Sequence, residues 1–152
     1  MSKTQLERAA VGYDTDFYEW CLETAALLRD RRFDEVDLEH VAEEIEDMGK
    51  RDKREVGSRL TVLIMHLLKW QVQSHHKHKS SWQSTIREQR RKLRLVLKDS
   101  PSLVRITTRE LPSIYPDAVQ EAVEETGLDA KLFPKTCPFT AEQILRNDFF
   151  PE

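Results

Sequence analysis

The sequence predicts an all-α protein, a single-domain bundle of five or six helices. Apolar residues recur at intervals of three and four over most of the chain, and no stretch alternates apolar and polar residues as a half-buried strand does. The length of 152 residues suits one domain. We expect a flexible leader over residues 1–12 and the helical domain over residues 13–152.

The first two helices are predicted from caps followed by apolar periodicity. Asp14, Thr15 or Asp16 can cap the first helix, and Asp37 opens the second. The expected inward face of the second helix consists of Leu38, Val41, Ile45 and Met48. Gly49 is suited to end or bend this helix, while the polar run after it also allows the helix to continue. We favour continuity.

The third helical segment, residues 56–73, is apolar around most of its circumference and is therefore expected to be the central packing element. Ser81 or Ser84 opens a fourth helix. Its inward residues are predicted to be Trp82, Ile86, Leu93, Val96 and Leu97. These two segments should supply most of the core.

The C-terminal part of the chain is also predicted to be helical. A helix begins near Ser100 and runs toward Gly127, with interruptions expected near Pro112 and Pro116. Gly127 suits a left-handed cap. A final short helix begins with a capping box, whose residues are Thr140 and Gln143.

Charge is distributed unevenly, although the net charge is only −3. Residues 34–47 contain eight acids and no Lys or Arg, whereas residues 69–109 contain eleven bases and two acids. The two segments therefore attract each other, or each faces a partner of opposite charge.

The sequence contains no run near the roughly 18 apolar residues that a membrane span requires, and no secretory signal. We therefore expect a cytoplasmic protein without membrane contact. Cys21 and Cys137 have no zinc-site spacing and are expected to stay reduced. No cofactor is predicted.

Six ordered motifs carry a family resemblance. They are Glu43-Glu44-Ile45-Glu46-Asp47-Met48-Gly49, His66-Leu67-Leu68-Lys69-Trp70-Gln71, Ser81-Trp82 with Thr85-Ile86 and Gln89-Arg90, Ser100-Pro101-Ser102-Leu103, Glu125-Thr126-Gly127-Leu128, and Phe133-Pro134 with Cys137-Pro138-Phe139. Over about residues 13–151 the chain resembles the bacterial family called domain of unknown function 29. The resemblance implies a bacterial helical protein. That family has no agreed activity, so no catalytic residue is carried over.

His40, Glu44 and Asp47 are spaced as metal ligands on one helix can be. However, at about 100° per residue they point roughly 80–140° away from the expected inward face. A solvated acidic face is the favoured interpretation, and no metal is predicted. Glu44 flanks the apolar face and can turn inward.

Arg59 and His66 share one flank of the third segment. Their spacing resembles the active-site signature of the higher eukaryote and prokaryote nucleotide-binding ribonucleases, in which Arg stabilises phosphate charge and His moves a proton. Glu44 would assist. The alternative is a structural His66 hydrogen-bonded to Glu43 or Glu44, because buried polar groups find partners.

Arg87, Arg91, Arg94 and Lys98 form a basic stripe opposite the apolar face of the fourth helix. A solvated or acid-paired surface, a nucleic-acid contact and an acidic protein partner all remain open for this stripe. Nucleic acid is less favoured, because no aromatic residue is interleaved for base stacking.

Three histidines, His75, His76 and His78, can chelate metals adventitiously. They are not part of the pattern of the family that the chain resembles.

The favoured function is a non-enzymatic interaction or regulatory module with a protein partner that the sequence does not identify. The alternative is a ribonuclease-type or nucleic-acid-binding protein that uses Arg59, His66 and the basic helix over residues 87–98.

Overall fold

The computed structural model describes residues 12–75 and 78–152. All regular structure in these ranges is helical and contains no strand, which confirms the all-α class. The helices are α1 (Phe17–Arg29), α2 (Leu38–Val72), α3 (Lys79–Asp99), α4 (Leu103–Thr126) and α5 (Ala141–Leu145), with 3₁₀ turns at Phe33–Glu35 and Ala130–Leu132. Residues 12–15 are also helical. The predicted leader lies outside the described residues except for residue 12.

The chain divides into two compact units, Met1–Lys50 and Arg51–Glu152. In the first unit, the predicted caps are present. The Asp16 side chain accepts a hydrogen bond from the Glu19 amide at 3.0 Å, and Asp37 Oδ1 accepts one from the His40 amide at 3.2 Å. Each cap satisfies an amide that the first helical turn would leave unpaired.

Helix α2 continues through Gly49 without a break and is 35 residues long. A Cβ atom added to Gly49 would meet nothing within 4 Å. The favoured alternative, a continuous helix, is therefore confirmed. Within residues 12–75 and 78–152, no steric contact requires glycine at position 49.

The second unit contains the large hydrophobic core, and the later half of α2 is its central element, as predicted. Leu63, Ile64, Leu67 and Leu68 of α2 have no exposed surface. Side chains from the neighbouring helices complete this core, among them Ile86, Leu93, Ala118 and Ala122. Removing such residues from water supplies the main favourable free energy of folding.

Helices α3 and α4 differ from their predicted limits. Helix α3 begins at Lys79, before either predicted serine. Helix α4 runs through Pro112 and Pro116 without interruption. Both prolines are exposed, so water can reach the two carbonyls that lose their amide partners. Gly127 has a φ of 69° and ends α4 in the left-handed conformation, as predicted.

The C-terminal segment is held by Arg90, whose side chain is almost fully buried. Its Nε donates to the carbonyl of Ile144 at 2.8 Å, and its two terminal nitrogens donate to the carbonyls of Asn147 and Gln143 at 3.4 Å. Burial lowers the pKa of Arg90 to about 10. Thr140 and Gln143 form the predicted capping box of α5. None of the described helices is long and apolar enough to cross a membrane.

We expect Arg90→Met to destabilise the second unit by about 1–3 kcal/mol, because it leaves the buried carbonyl of Ile144 without its side-chain donor. Urea denaturation of the full chain measures this loss. Arg91→Met is the matched control, because Arg91 is exposed and its ion pair with Glu88 lies at the surface. Equal stability of the two variants would contradict the role of Arg90.

Candidate functional site

A polar and aromatic cluster lies in the first unit, on the face of α2 that was expected to point to solvent. The Tyr13 hydroxyl donates to Glu44 Oε1 at 2.9 Å. The Tyr13 ring stacks on the His40 ring with 3.8 Å between centroids and meets Trp20 edge-on at 4.9 Å. Glu44 therefore turns inward, as the sequence allowed. The third predicted residue, Asp47, is exposed and lies 4.0 Å from Lys50.

The cluster contains a hydrogen-bonded His and carboxylate. His40 Nδ1 donates to Asp37, and this bond raises the pKa of His40 above 6.5. Burial acts to raise the pKa of Asp37, but the bonds from His40 lower it overall. The bond to Glu44 raises the pKa of Tyr13 to about 12. The described residues hold no group of three or more side chains placed to bind a metal ion.

The apolar face of α2 that was expected to be inward is exposed. Leu38, Ile45 and Met48 retain 63%, 59% and 54% of their surface, and only Val41 is half-buried. The physical reason is that the aromatic rings of the first unit pack beside His40 and Glu44, roughly 100° around the helix from the apolar positions. We call Leu38, Ile45 and Met48 the apolar stripe.

The two units carry opposite charge. Residues 1–50 contain fourteen Asp and Glu against six Lys and Arg, a net charge of −8, whereas residues 51–152 contain thirteen against eighteen, a net charge of +5. The apolar stripe lies in the acidic unit, where eight acids occur over residues 34–47. A complementary surface is therefore expected to be basic.

Arg59 and His66 have separate hydrogen-bond partners. Arg59 donates to Glu55 at 2.8 Å and to Gln89 of α3 at 3.2 Å. His66 is partly buried, and its Nδ1 lies 2.8 Å from the carbonyl oxygen of Val62, which can only accept. Burial lowers the pKa of His66. The hydrogen bond of His66 thus goes to the backbone, and neither Glu43 nor Glu44 supplies it.

The four side chains of the predicted basic stripe are exposed on α3. Arg91 forms two hydrogen bonds with Glu88, and Arg94 donates to the Asn147 side chain. Arg87 and Lys98 form no ion pair within the described part of the chain. Leu95, in the same stretch of helix, is 54% exposed.

The predicted histidine cluster is only partly described. His75 and His78 are exposed, and His76 lies outside the described residues. Between α2 and α3, the residues that the structure describes form no group of three side chains placed to bind a metal ion.

Two buried cations, Lys69 and Arg90, were missed by the sequence analysis. Lys69 is 7% exposed, its Nζ lies 2.6 Å from Glu125 Oε2, and the same ammonium stands 4.9 Å from the centroid of Trp82. Arg90 binds backbone carbonyls. In the sequence, both cations occur among apolar residues on helix faces that are predicted to point inward. This position could have identified them as buried.

Two open grooves of about 450 Å³ each lie in the second unit. The first, between α2 and α4, is polar, and the carboxylates on its wall belong to Asp117, Glu121 and Glu124. The second lies beside Tyr115 and Phe133, with Lys131 and Lys135 among its lining residues. Neither groove is lined by Arg59 or His66.

The sequence of residues 12–150 matches the family model described as "Domain of unknown function DUF29". Neither a curated protein nor a solved structure matches the chain.

We expect NMR titration to place the pKa of His40 above 6.5 and that of His66 below it, because Asp37 bonds to His40 whereas burial dominates at His66. Asp37→Asn should lower the pKa of His40 and keep the helix cap, since Asn caps helices as well as Asp does. The pKa of His66 is the internal control. A His40 pKa unchanged by Asp37→Asn would contradict this assignment.

The sign of the resulting stability change differs between the two histidines. The hydrogen bond of His40 adds its full contribution to the free energy of unfolding below pH 6.5. This contribution is lost as the pH rises through the raised pKa of His40 in the folded state. The pKa of His66 is lower in the folded state than in the unfolded chain, so the unfolded chain takes up a proton at a higher pH. The free energy of unfolding therefore decreases as the pH falls below 6.5.

Proposed function

Because this chain belongs to the family described as "Domain of unknown function DUF29", whose description assigns no activity, we propose a function from its own surface. The protein is a non-enzymatic interaction module that binds a protein partner through the apolar stripe of α2. One observation carries the proposal: three large apolar side chains, at positions 38, 45 and 48, retain more than half of their surface.

The spacing of the stripe is that of a helix-binding or helix-bound surface. Positions 38, 45 and 48 are separated by seven and three residues, so they lie along one side of α2. Amphipathic helices that dock on partners present anchors at such intervals. Contiguous exposed apolar surface with a polar rim is typical of interaction sites.

The energy available from the stripe is large enough for specific binding. Full burial of one side chain such as Ile or Met contributes about 1.5–3 kcal/mol. The acids around the stripe add little affinity in water, but they accelerate encounter with a basic partner and repel an acidic one. The stripe therefore supplies affinity, and its rim supplies selectivity.

The ribonuclease-type alternative has less support. Arg59 is engaged by Glu55 and Gln89, and His66 by the Val62 carbonyl. The two residues are separated by about 10 Å along the helix axis, from a rise of 1.5 Å per residue. A shared phosphate would have to draw Arg59 away from its present partners.

We expect the double variant Ile45→Gln/Met48→Gln to capture at least about tenfold less of its protein partner than the wild type, because two apolar side chains that the partner would bury are lost. Gln preserves helix propensity. The measurement is quantitative affinity capture from native cells, with and without nuclease. Leu132→Gln is the matched control, since Leu132 is as exposed as Met48 but lies in the 3₁₀ turn Ala130–Leu132, outside the apolar stripe and the basic stripe.

Undiminished capture by the stripe variant would overturn the proposal. Capture that is nuclease-sensitive and is lost on Arg91→Glu/Arg94→Glu would favour the nucleic-acid alternative instead. For the ribonuclease-type alternative, identical background cleavage of RNA by the wild type and His66→Ala would end it.

A further inference from the structure

We propose that the partner of the apolar stripe is a second copy of this chain, which presents the basic stripe of its α3 helix. This inference rests on the proposed function, because it assigns an occupant to the same surface. It follows from three comparisons of the two surfaces: their charges are opposite, their lengths are similar, and both expose apolar side chains.

Charge complementarity is the first property. The stripe of α2 has acids on both flanks and, over residues 34–47, no Lys or Arg. The basic stripe offers Arg87, Arg91, Arg94 and Lys98, all of them exposed. Arg87 and Lys98, at its two ends, have no ion-pair partner among the described residues. They are therefore free to pair with carboxylates of another molecule.

Length is the second property. Positions 38 and 48 are separated by ten residues of α2, or about 15 Å along the axis at 1.5 Å per residue. Positions 87 and 98 are separated by eleven residues of α3, or about 16 Å. The two stripes can therefore lie along each other over their whole length.

Exposed apolar surface is the third property. Leu95 is 54% exposed and follows Arg91 by four residues on α3, so it lies on the side of the helix that carries the basic stripe. In a pair of helices it would pack among Leu38, Ile45 and Met48. The bases on either side would then meet the acidic rim, giving an apolar centre and a charged edge, as protein interfaces generally have.

In a twofold dimer, the acidic stripe of each copy would meet the basic stripe of the other, so the same contact would occur twice. The contact area of two short helix pairs is small, and its charged rim is screened by salt. We therefore expect an affinity on the order of micromolar rather than an obligate dimer.

Sedimentation velocity of the full chain, at loading concentrations from about 1 to 500 μM, tests the proposal over the expected affinity range. The wild type should dimerise reversibly, and more weakly at high salt. Arg87→Glu/Lys98→Glu should weaken dimerisation at least about tenfold, because attraction becomes repulsion. Glu39→Lys/Glu46→Lys should weaken dimerisation equally, because it reverses the charge of the acids beside the apolar stripe.

A one-to-one mixture of these two variants is the decisive arm. Each inverted surface then meets its inverted complement, so heterodimers should form with wild-type affinity. Lys131→Glu/Lys135→Glu is the matched control, because it makes the same charge change at exposed lysines outside the basic stripe. Circular dichroism verifies that every variant is folded.

A wild type that stays monomeric throughout, or a mixture that fails to restore dimers, would overturn the proposal. Nuclease-sensitive capture that is lost with Arg87→Glu/Lys98→Glu, without any change in sedimentation, would assign the basic stripe to nucleic acid and also overturn it. A monomeric wild type that still captures a different protein through the apolar stripe would refute self-association and leave the proposed function standing.

Discussion

The buried guanidinium of Arg90 sets the position of the C-terminal segment in the second unit. A cation removed from water must find acceptors, because an unpaired buried charge costs several kcal/mol. No carboxylate hydrogen-bonds to it among the described residues; three carbonyls from residues 143–147 do so instead. The short α5 helix is thereby held where its last turn can supply these oxygens.

The contacts of Arg90 also connect the C-terminal segment to two helices of the second unit. The Phe150 ring lies 5.4 Å from the Arg90 guanidinium and 4.8 Å from the Trp70 ring of α2. One buried cation thus connects α3, the chain terminus and the central helix. Lys69 adds a second buried cation, paired with Glu125 of α4. Both buried cations thus have partners within the second unit, as buried polar groups generally do.

Helix α2 contributes both to the core of the second unit and to the proposed binding surface. Its backbone satisfies its own hydrogen bonds, so each half is free to use its side chains differently. Residues 56–68 supply the core of the second unit, while Leu38, Ile45 and Met48 remain exposed on the preceding turns. An exposed apolar stripe lowers solubility unless something covers it. Its acidic rim counters nonspecific association and favours basic partners.

Local chemistry made much of this fold predictable. Asp16, Asp37 and Thr140 begin helices because their side chains accept amide hydrogen bonds, and Gly127 ends one because it tolerates positive φ. Apolar residues around most of the helix circumference over residues 60–68 identified the core helix. Periodicity, however, shows which residues share a face and leaves open which face is buried.

The candidate site was therefore predicted only in part. The face of α2 that contacts Tyr13 and Trp20 was assigned to solvent, because His40 and Glu44 are polar and the opposite positions are apolar. This expectation was wrong, because the Tyr13 ring stacks on His40 and the Tyr13 hydroxyl donates a hydrogen bond to Glu44. Arg90 was missed because its acceptors are backbone carbonyls more than fifty residues away, and no sequence pattern marks such partners.

Oxidative footprinting of Met48 tests most directly whether the apolar stripe is covered in the cell. Met48 is 54% exposed, whereas Met65 is 4% exposed and serves as an internal reference. Thioether oxidation, read by mass spectrometry in intact cells and in dilute purified protein, reports solvent access at both positions. The account predicts rapid oxidation of Met48 in dilute protein, protection of Met48 in cells and protection of Met65 in both. Equal oxidation of Met48 in cells and in dilute protein would contradict it.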